Sequence, residues 1–327
     1  MDVRMNRIIE IDYTKAIGII LMVLGHCYSN TNLLIRWLYS FHMPLFFIAP
    51  GIIYGQKKSK LKFSWKNRLI SIILPYFIFG AVYTIFLFSL SKFQDVNMMV
   101  IRFKMLFTLQ GVSALWFLPC IFFAELIFKF LVNQKYGLIY IISVMLIGLF
   151  SPNTNNYLLV ILRAFVGTGF MAIGYYCSKY YIQKINPILV IFTFFIQIFL
   201  SLQNQTVSLA ALEFGNVFLY IINSVLGTYI VIQFCIVLKD SKLRLSFLNT
   251  IGKNTIIVLG TSSILIEIIR LFDYKIFNNI LNRLNIFEGI ILCIIVMIVE
   301  YIIIYIYKRY LKVNLIHGVK KNVNSFI

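Results

Sequence analysis

Acidic residues are scarce in this chain, with 11 Asp and Glu against 30 Lys and Arg in 327 residues. Charges of both signs make up only 13% of it, about half the share in an ordinary soluble domain. A soluble globule of this length has too much surface to cover with so little charge. Disorder is excluded by the opposite count, since 61% of the residues are hydrophobic. The five cysteines (Cys27, Cys120, Cys177, Cys235 and Cys293) contain no CxxC pair. Neither a disulfide framework nor a metal site is therefore indicated. Linkers of low complexity, internal repeats and the alternating pattern of a lipid-facing barrel are also missing. So are a GxSxG elbow, an HExxH motif and a phosphate-binding GxxxxGK[ST] loop. The net charge of +19 sits on no basic, aromatic-interleaved soluble module, so no nucleic-acid partner is expected.

What the chain has is long apolar runs. They fall at 13–29, 33–55, 68–90, 113–132, 137–150, 157–177, 187–202, 217–238, 254–271 and 286–307. A helical span needs about 20 mostly apolar residues. The expected fold is therefore an all-α integral membrane bundle of about ten spans, with residues 1–327 forming a single domain. The run at 96–110 carries Arg102 and Lys104 among apolar residues and reads as an interfacial amphipathic helix. With the N-terminus inside, 20 basic residues fall in inside segments and 6 in outside ones. That bias places both termini in the cytoplasm. The first run contains Lys15 and His26 and has no small-residue cleavage site after it, so it reads as a retained span and not a signal peptide.

Ionisable groups inside spans are costly and are the first candidates for function. Lys15 and His26 lie eleven residues apart in the first span. Eleven helical steps come to about 1100°, within about 20° of three turns, so both side chains share one face about 16 Å apart. Lys15 falls near the cytoplasmic edge and His26 deep in the membrane. A neutral histidine there is a candidate general base, or else a core histidine bonded to a carbonyl. Asp12 is placed to orient Lys15 through an i,i+3 contact. The second span contains His42 with Pro44 and Pro50, which read as a helix break lining a cavity or as an ordinary kink. Arg68 opens the third span, where its guanidinium suits a phosphate. The fourth span holds Trp116 and Glu125, and Arg163 in the sixth is the candidate partner of Glu125. Glu267 and Glu300 are further acids in spans with no assigned role.

Four stretches, IDYTKAIGIILMVLGH, FHMPLFFIAPG, RLISIILPY and LWFLPCIFFAEL, resemble the acyltransferase-3 family of membrane acyltransferases. IGKNTIIVLG, at 251–260, is similar to a late segment of that family. The closest resemblance is to sugar O-acetylases of the fucose acetylase-like type. Two positions depart from the pattern: Pro50 precedes Gly51 where serine is usual, and Ser262 stands where many members have histidine.

The resemblance implies O-acetyl transfer from cytoplasmic acetyl-CoA to a hydroxyl of a cell-surface or capsular polysaccharide, or of its lipid-linked precursor. The setting it implies is the inner membrane of a bacterium, with acetyl-CoA as donor substrate and no metal. Its partners would be the glycan acceptor, membrane lipids and further copies of the chain or other glycan-biosynthesis proteins. In that reading Lys15 and Arg68 hold the donor phosphates and His26 is catalytic. Asp12, His42, Trp116, Glu125 and Arg163 support the site. The rival reading is a transporter or flippase for a lipid-linked glycan, which also needs many spans and buried charges.

Overall fold

The structure is a computed structural model and describes residues 8–28, 32–57, 64–151, 158–241, 245–276 and 286–311. The basic stretches at 1–7, 58–63 and 312–327, on which much of the charge bias rests, lie outside the described residues, as does most of the SPNTNN loop.

The described residues are mostly helical, and no strand occurs among them beyond one isolated bridge, Ser208 to Glu213. In order the helices are α1 (Ile9–Cys27), α2 (Leu33–Tyr39), α3 (His42–Gln56), α4 (Trp65–Arg68) and α5 (Leu74–Leu90). There follow α6 (Val96–Phe107), α7 (Phe117–Leu131), α8 (Gly137–Phe150), α9 (Leu159–Tyr176) and α10 (Ser178–Ile182). The last are α11 (Pro187–Gln203), α12 (Val217–Asp240), α13 (Ser246–Lys253), α14 (Thr255–Ile276) and α15 (Ile286–Ile306). Seven segments among the described residues are long and apolar enough to cross a membrane, and α8 and α11 are shorter apolar helices. The remaining apolar run, the first in the chain, is α1, which has 19 residues and carries Glu10, Asp12 and Lys15 in its first half. The helices thus coincide with the ten apolar runs. The protein is an all-α, multi-pass membrane protein.

The second apolar run is broken, but not at its prolines. The break is at Ser40–Phe41, between α2 and α3. Pro44 sits in the first turn of α3, where a missing N–H costs nothing. Pro50 lies inside α3, which continues past it. The expected amphipathic helix is present as α6, anchored where the Tyr76 hydroxyl donates to the Leu106 carbonyl at 2.9 Å. A π-turn over Leu69–Ile73 joins α4 to α5, immediately after Arg68 and just before Pro75. Proline deprives an upstream carbonyl of its helical donor, and widening the turn absorbs the mismatch.

Two helices organise the bundle. α1 is central and touches α3, α12, α13, α14 and α15. α9 packs along α3, α7 and α8. The α3–α9 contact is backbone to backbone. A Cβ added at Gly51 or Gly55 would overlap the carbonyl of Met171 or Tyr175, and one at Gly174 would overlap that of Ile48. Lipid offers no hydrophobic drive for helices to associate, so close approach at small residues spaced four apart is what holds such a pair. Gly51 therefore has a packing role here, independent of the residue that precedes it.

Gly51→Leu is expected to destabilise the fold, by about 1–3 kcal/mol for an overpacked core position. Thermal unfolding of the purified protein in detergent measures this. An unchanged midpoint would mean that the α3–α9 contact is not as close as described.

Candidate active site

The first helix presents Ile8, Asp12 and Lys15 to a cavity of about 180 Å³. α3 contributes Phe46, Pro50, Ile53 and Tyr54, spaced by three or four residues along one face. Lys57, at the C-cap of α3, continues that wall. Arg68, Ser71 and Ile72 close it from α4 and the π-turn, with Phe117, Leu118 and Ile121 from α7. Thr255 and Ile256, which open α14, complete the lining. The lining is mostly apolar, with the charged groups Asp12, Lys15, Lys57 and Arg68 among it. The cavity can hold a thin, mostly apolar ligand that ends in anionic groups.

Those polar groups are held in pairs. Lys15 Nζ is 3.2 Å from an Asp12 carboxylate oxygen, the i,i+3 contact expected from the sequence. The backbone of Asp12 is fixed in turn, because Gly252 of α13 lies directly against its carbonyl. Any larger residue at 252 would collide with it. Arg68 makes a two-point contact to Glu125, with Nε 2.6 Å and Nη2 2.8 Å from the two carboxylate oxygens. The Tyr54 hydroxyl also donates to Glu125, and Lys129 Nζ lies 3.5 Å from the centre of the Tyr54 ring. Glu125 is 1% exposed and Arg68 22% exposed at the side chain. The carboxylate is thus the buried floor and the guanidinium the face turned to the cavity.

This corrects the expected pairing of Glu125 with Arg163. Arg163 lies in α9 and spends its donors on backbone carbonyls. Its Nε donates to Ala210 at 2.8 Å and its Nη1 to Gln110 at 3.1 Å. Its guanidinium also stacks 5.0 Å from the Trp116 ring centre. The reason is the strained turn before α7, where Leu109, Gly111 and Ser113 all have positive φ. Such a turn leaves carbonyls unpaired, and a buried guanidinium satisfies two segments at once. Gly111 is required there, since its φ is 84° and a Cβ would strike the Trp116 backbone. Trp116 and Arg163 hold this end of the bundle together and do not line the cavity.

His26 lies one residue before the end of α1, on the face that carries Asp12 and Lys15. Its side chain is accessible although protein surrounds it on most sides. It makes no hydrogen bond among the described residues, so the alternative of a carbonyl-bonded core histidine does not describe it. That description fits His42 instead, which is buried with Nδ1 3.0 Å from the Leu38 carbonyl and its ring tilted against Tyr39. His42 does not line the Lys15 cavity, but it is close enough to His26 for a charge on one to be felt by the other. The tracks from Lys15 to His26 on α1 and from Lys57 through Pro50 and Phe46 to His42 on α3 run side by side. Gly18 and Gly25 allow this, since their missing side chains make room for Leu45, Phe46 and Tyr39.

Lys15, Asp12 and Arg68 line one cavity together with Tyr54, Lys57 and Ser71, which the sequence did not single out. Helical spacing could have found Tyr54, which follows Pro50 by one turn on the same face. Nothing in the sequence could pair Arg68 with Glu125, 57 residues away on another helix.

Comparison with known families now decides the class. A sequence model described as an acyltransferase domain, that of the acyltransferase-3 family, matches residues 8–305. The chain belongs to the acyltransferase-3 family. It is therefore a multi-pass membrane acyltransferase. That match covers α1 through nearly all of α15, so both tracks and the whole cavity fall within the family domain. No curated protein and no solved structure matched the chain.

Removing Glu125 strands the Arg68 guanidinium in a largely apolar wall. Glu125→Ala is expected to lose about 3–5 kcal/mol, whereas replacing both partners by apolar residues of similar volume recovers most of it. Thermal unfolding of the two variants checks this. Equal stability of Glu125→Ala and the parent protein would contradict the pairing.

Proposed function

We propose that this acyltransferase moves an acetyl group from cytoplasmic acetyl-CoA to a hydroxyl of a cell-surface or capsular glycan, or of its lipid-linked precursor, in the inner membrane of a bacterium. The observation that carries the reading is the single face of α1. Lys15 stands at a narrow cavity at one end of it, and an accessible His26, without a hydrogen bond among the described residues, stands about 16 Å along the axis at the other.

Acetyl-CoA is a long molecule with phosphates at one end and the thioester at the other. Lys15, Lys57 and the outer edge of Arg68 suit the phosphates, since guanidinium and ammonium groups bind phosphate well. Arg68 gives Nε and one Nη2 hydrogen to Glu125, and its remaining N–H groups are uncommitted to that contact. The apolar walls suit the pantetheine arm, which leads the thioester along the α1 and α3 tracks toward His26.

At that end His26 accepts the proton of the acceptor hydroxyl as its oxygen attacks the thioester carbonyl. The carbon–sulfur bond breaks, CoA leaves as the thiol after taking up a proton, and an O-acetyl ester remains. Transfer through an acetyl-imidazole on His26 uses the same residue in two steps. His42 stays close to His26, and its own bond to Leu38 fixes the ring. The resemblance to fucose acetylase-like proteins supports a deoxysugar hydroxyl as acceptor.

Loss of His26 is expected to lower transfer about 10²–10⁴-fold, the usual contribution of a general base. Membranes bearing the protein or His26→Ala at matched expression, incubated with labelled acetyl-CoA and surface glycan, give the comparison. Alkali-labile label on the glycan that disappears with His26→Ala supports the assignment. Transfer that survives the substitution removes His26 from the chemistry. Absence of transfer from any acyl-CoA by the parent protein removes the donor assignment.

A further inference from the structure

Glu267 takes no part in the donor path or in the chemistry at His26. It lies within α14, inside a segment apolar enough to cross the membrane, and is only half-buried. Among the described residues it makes no ion pair and no hydrogen bond. A carboxylate at such a depth faces water or a ligand, because lipid would not tolerate it. Its surroundings are polar. Ser263, one turn earlier on the same face, lies with its Oγ 2.8 Å from Oγ of Ser113 on the short 3-10 turn Ser113–Trp116. Tyr83 of α5 stands beside Ser113, and both Glu267 and Arg102 of α6 lie close enough to act electrostatically on it. Three hydroxyls, one carboxylate and one guanidinium thus converge from four separate elements.

This cluster lies toward the His26 end of the bundle. Arg270, one turn beyond Glu267, donates through Nη2 to the Cys27 carbonyl at 2.8 Å, next to His26 in the chain. Ser263 and Arg270 are seven residues apart, about 10 Å along α14. The polar face of α14 therefore begins where α1 ends.

We propose that Ser113, Ser263, Glu267 and Tyr83 form the acceptor subsite and bind the hydroxyls of a carbohydrate, a reading that rests on the function proposed above. A carboxylate accepts two hydrogen bonds from neighbouring hydroxyls, and a serine hydroxyl both gives and takes one. The aromatic ring of Tyr83 supplies an apolar surface for the C–H face of a sugar. With Glu267 and Arg102 both close to Tyr83, the cluster carries no net charge, which suits a neutral polyol better than an anion. Donor and acceptor then approach His26 along different helices, the donor along α1 and α3 and the acceptor along α14.

The test is saturation-transfer NMR on the detergent-solubilised full chain, with a panel of methyl glycosides that includes methyl fucoside and methyl rhamnoside. The parent protein should give a signal with at least one glycoside. Glu267→Gln and Ser263→Ala should each weaken binding roughly tenfold or more, as expected when a hydrogen bond to a charged or buried polar group is lost. Both variants should keep the parent thermal midpoint, and having two guards against one failing to fold. No signal with any glycoside, or signals unchanged in both variants, overturns the proposal. Acetyl transfer assayed on the same preparations separates the two readings. Glycoside binding that depends on Glu267 in a protein that transfers no acetyl group keeps the subsite and rejects the acetyltransferase. Transfer whose acceptor KM is unmoved by both variants does the reverse.

Discussion

A charge inside a membrane span must be neutralised, hydrated or tied to the backbone, and this constraint explains how the bundle is assembled. Lipid gives no solvation to an ion and no drive for helices to associate. The chain therefore uses its few acids as fasteners. Glu125 joins α7 to α4 and α3 through Arg68 and Tyr54. Glu10 joins α1 to α12 through Lys239 at 3.1 Å. Asp12 holds Lys15 on its own helix. Arg163 has no acid and binds carbonyls from two loops instead. Glu300 is fully buried with one oxygen accepting from Thr261 at 2.7 Å, which ties α15 to α14. Against this background His26 and Glu267, which make no hydrogen bond or ion pair among the described residues, stand apart, and both lie toward the end of the bundle where α1 finishes.

Polar fastening alone does not bring α1 and α3 close enough to share a cavity wall. Small residues do that. Gly18 and Gly25 on α1 admit Leu45, Phe46 and Tyr39, while Gly51, Gly55 and Gly174 bring α3 onto α9. With α9 holding α3, and α13 holding α1 through Gly252, the two tracks are fixed relative to each other. A reaction that needs a donor and an acceptor delivered to one imidazole benefits from such rigidity, because misplacement by about 1 Å can cost a hundredfold in rate.

Much of this was legible in the sequence, for physical reasons that also explain the rest. Apolar run length fixes span position, so the helices fall on the ten expected runs. Helical pitch puts Lys15 and His26 on one face and Asp12 within reach of Lys15, all within one helix. Pairing between helices is another matter. Glu125 and Arg163 looked like partners because each needed one, but Arg68 is the residue the fold brings to Glu125. The break in the second span was expected at the prolines and lies at Ser40–Phe41, because Pro44 falls in the first turn of α3 where it is harmless. Ser113, Ser263 and Glu267 belong to segments 150 residues apart, and no local pattern marks them as neighbours.

The central claim is that one face of α1 guides the donor from its phosphate end at Lys15 to its reactive end at His26. A cryo-EM reconstruction of the full chain with acetyl-CoA bound tests it most directly. The account predicts phosphate density beside Lys15, Lys57 and Arg68, with the pantetheine arm passing Phe46 and the thioester turned toward His26. Density for the donor elsewhere in the bundle, or in this cavity with the thioester pointing away from His26, would contradict it.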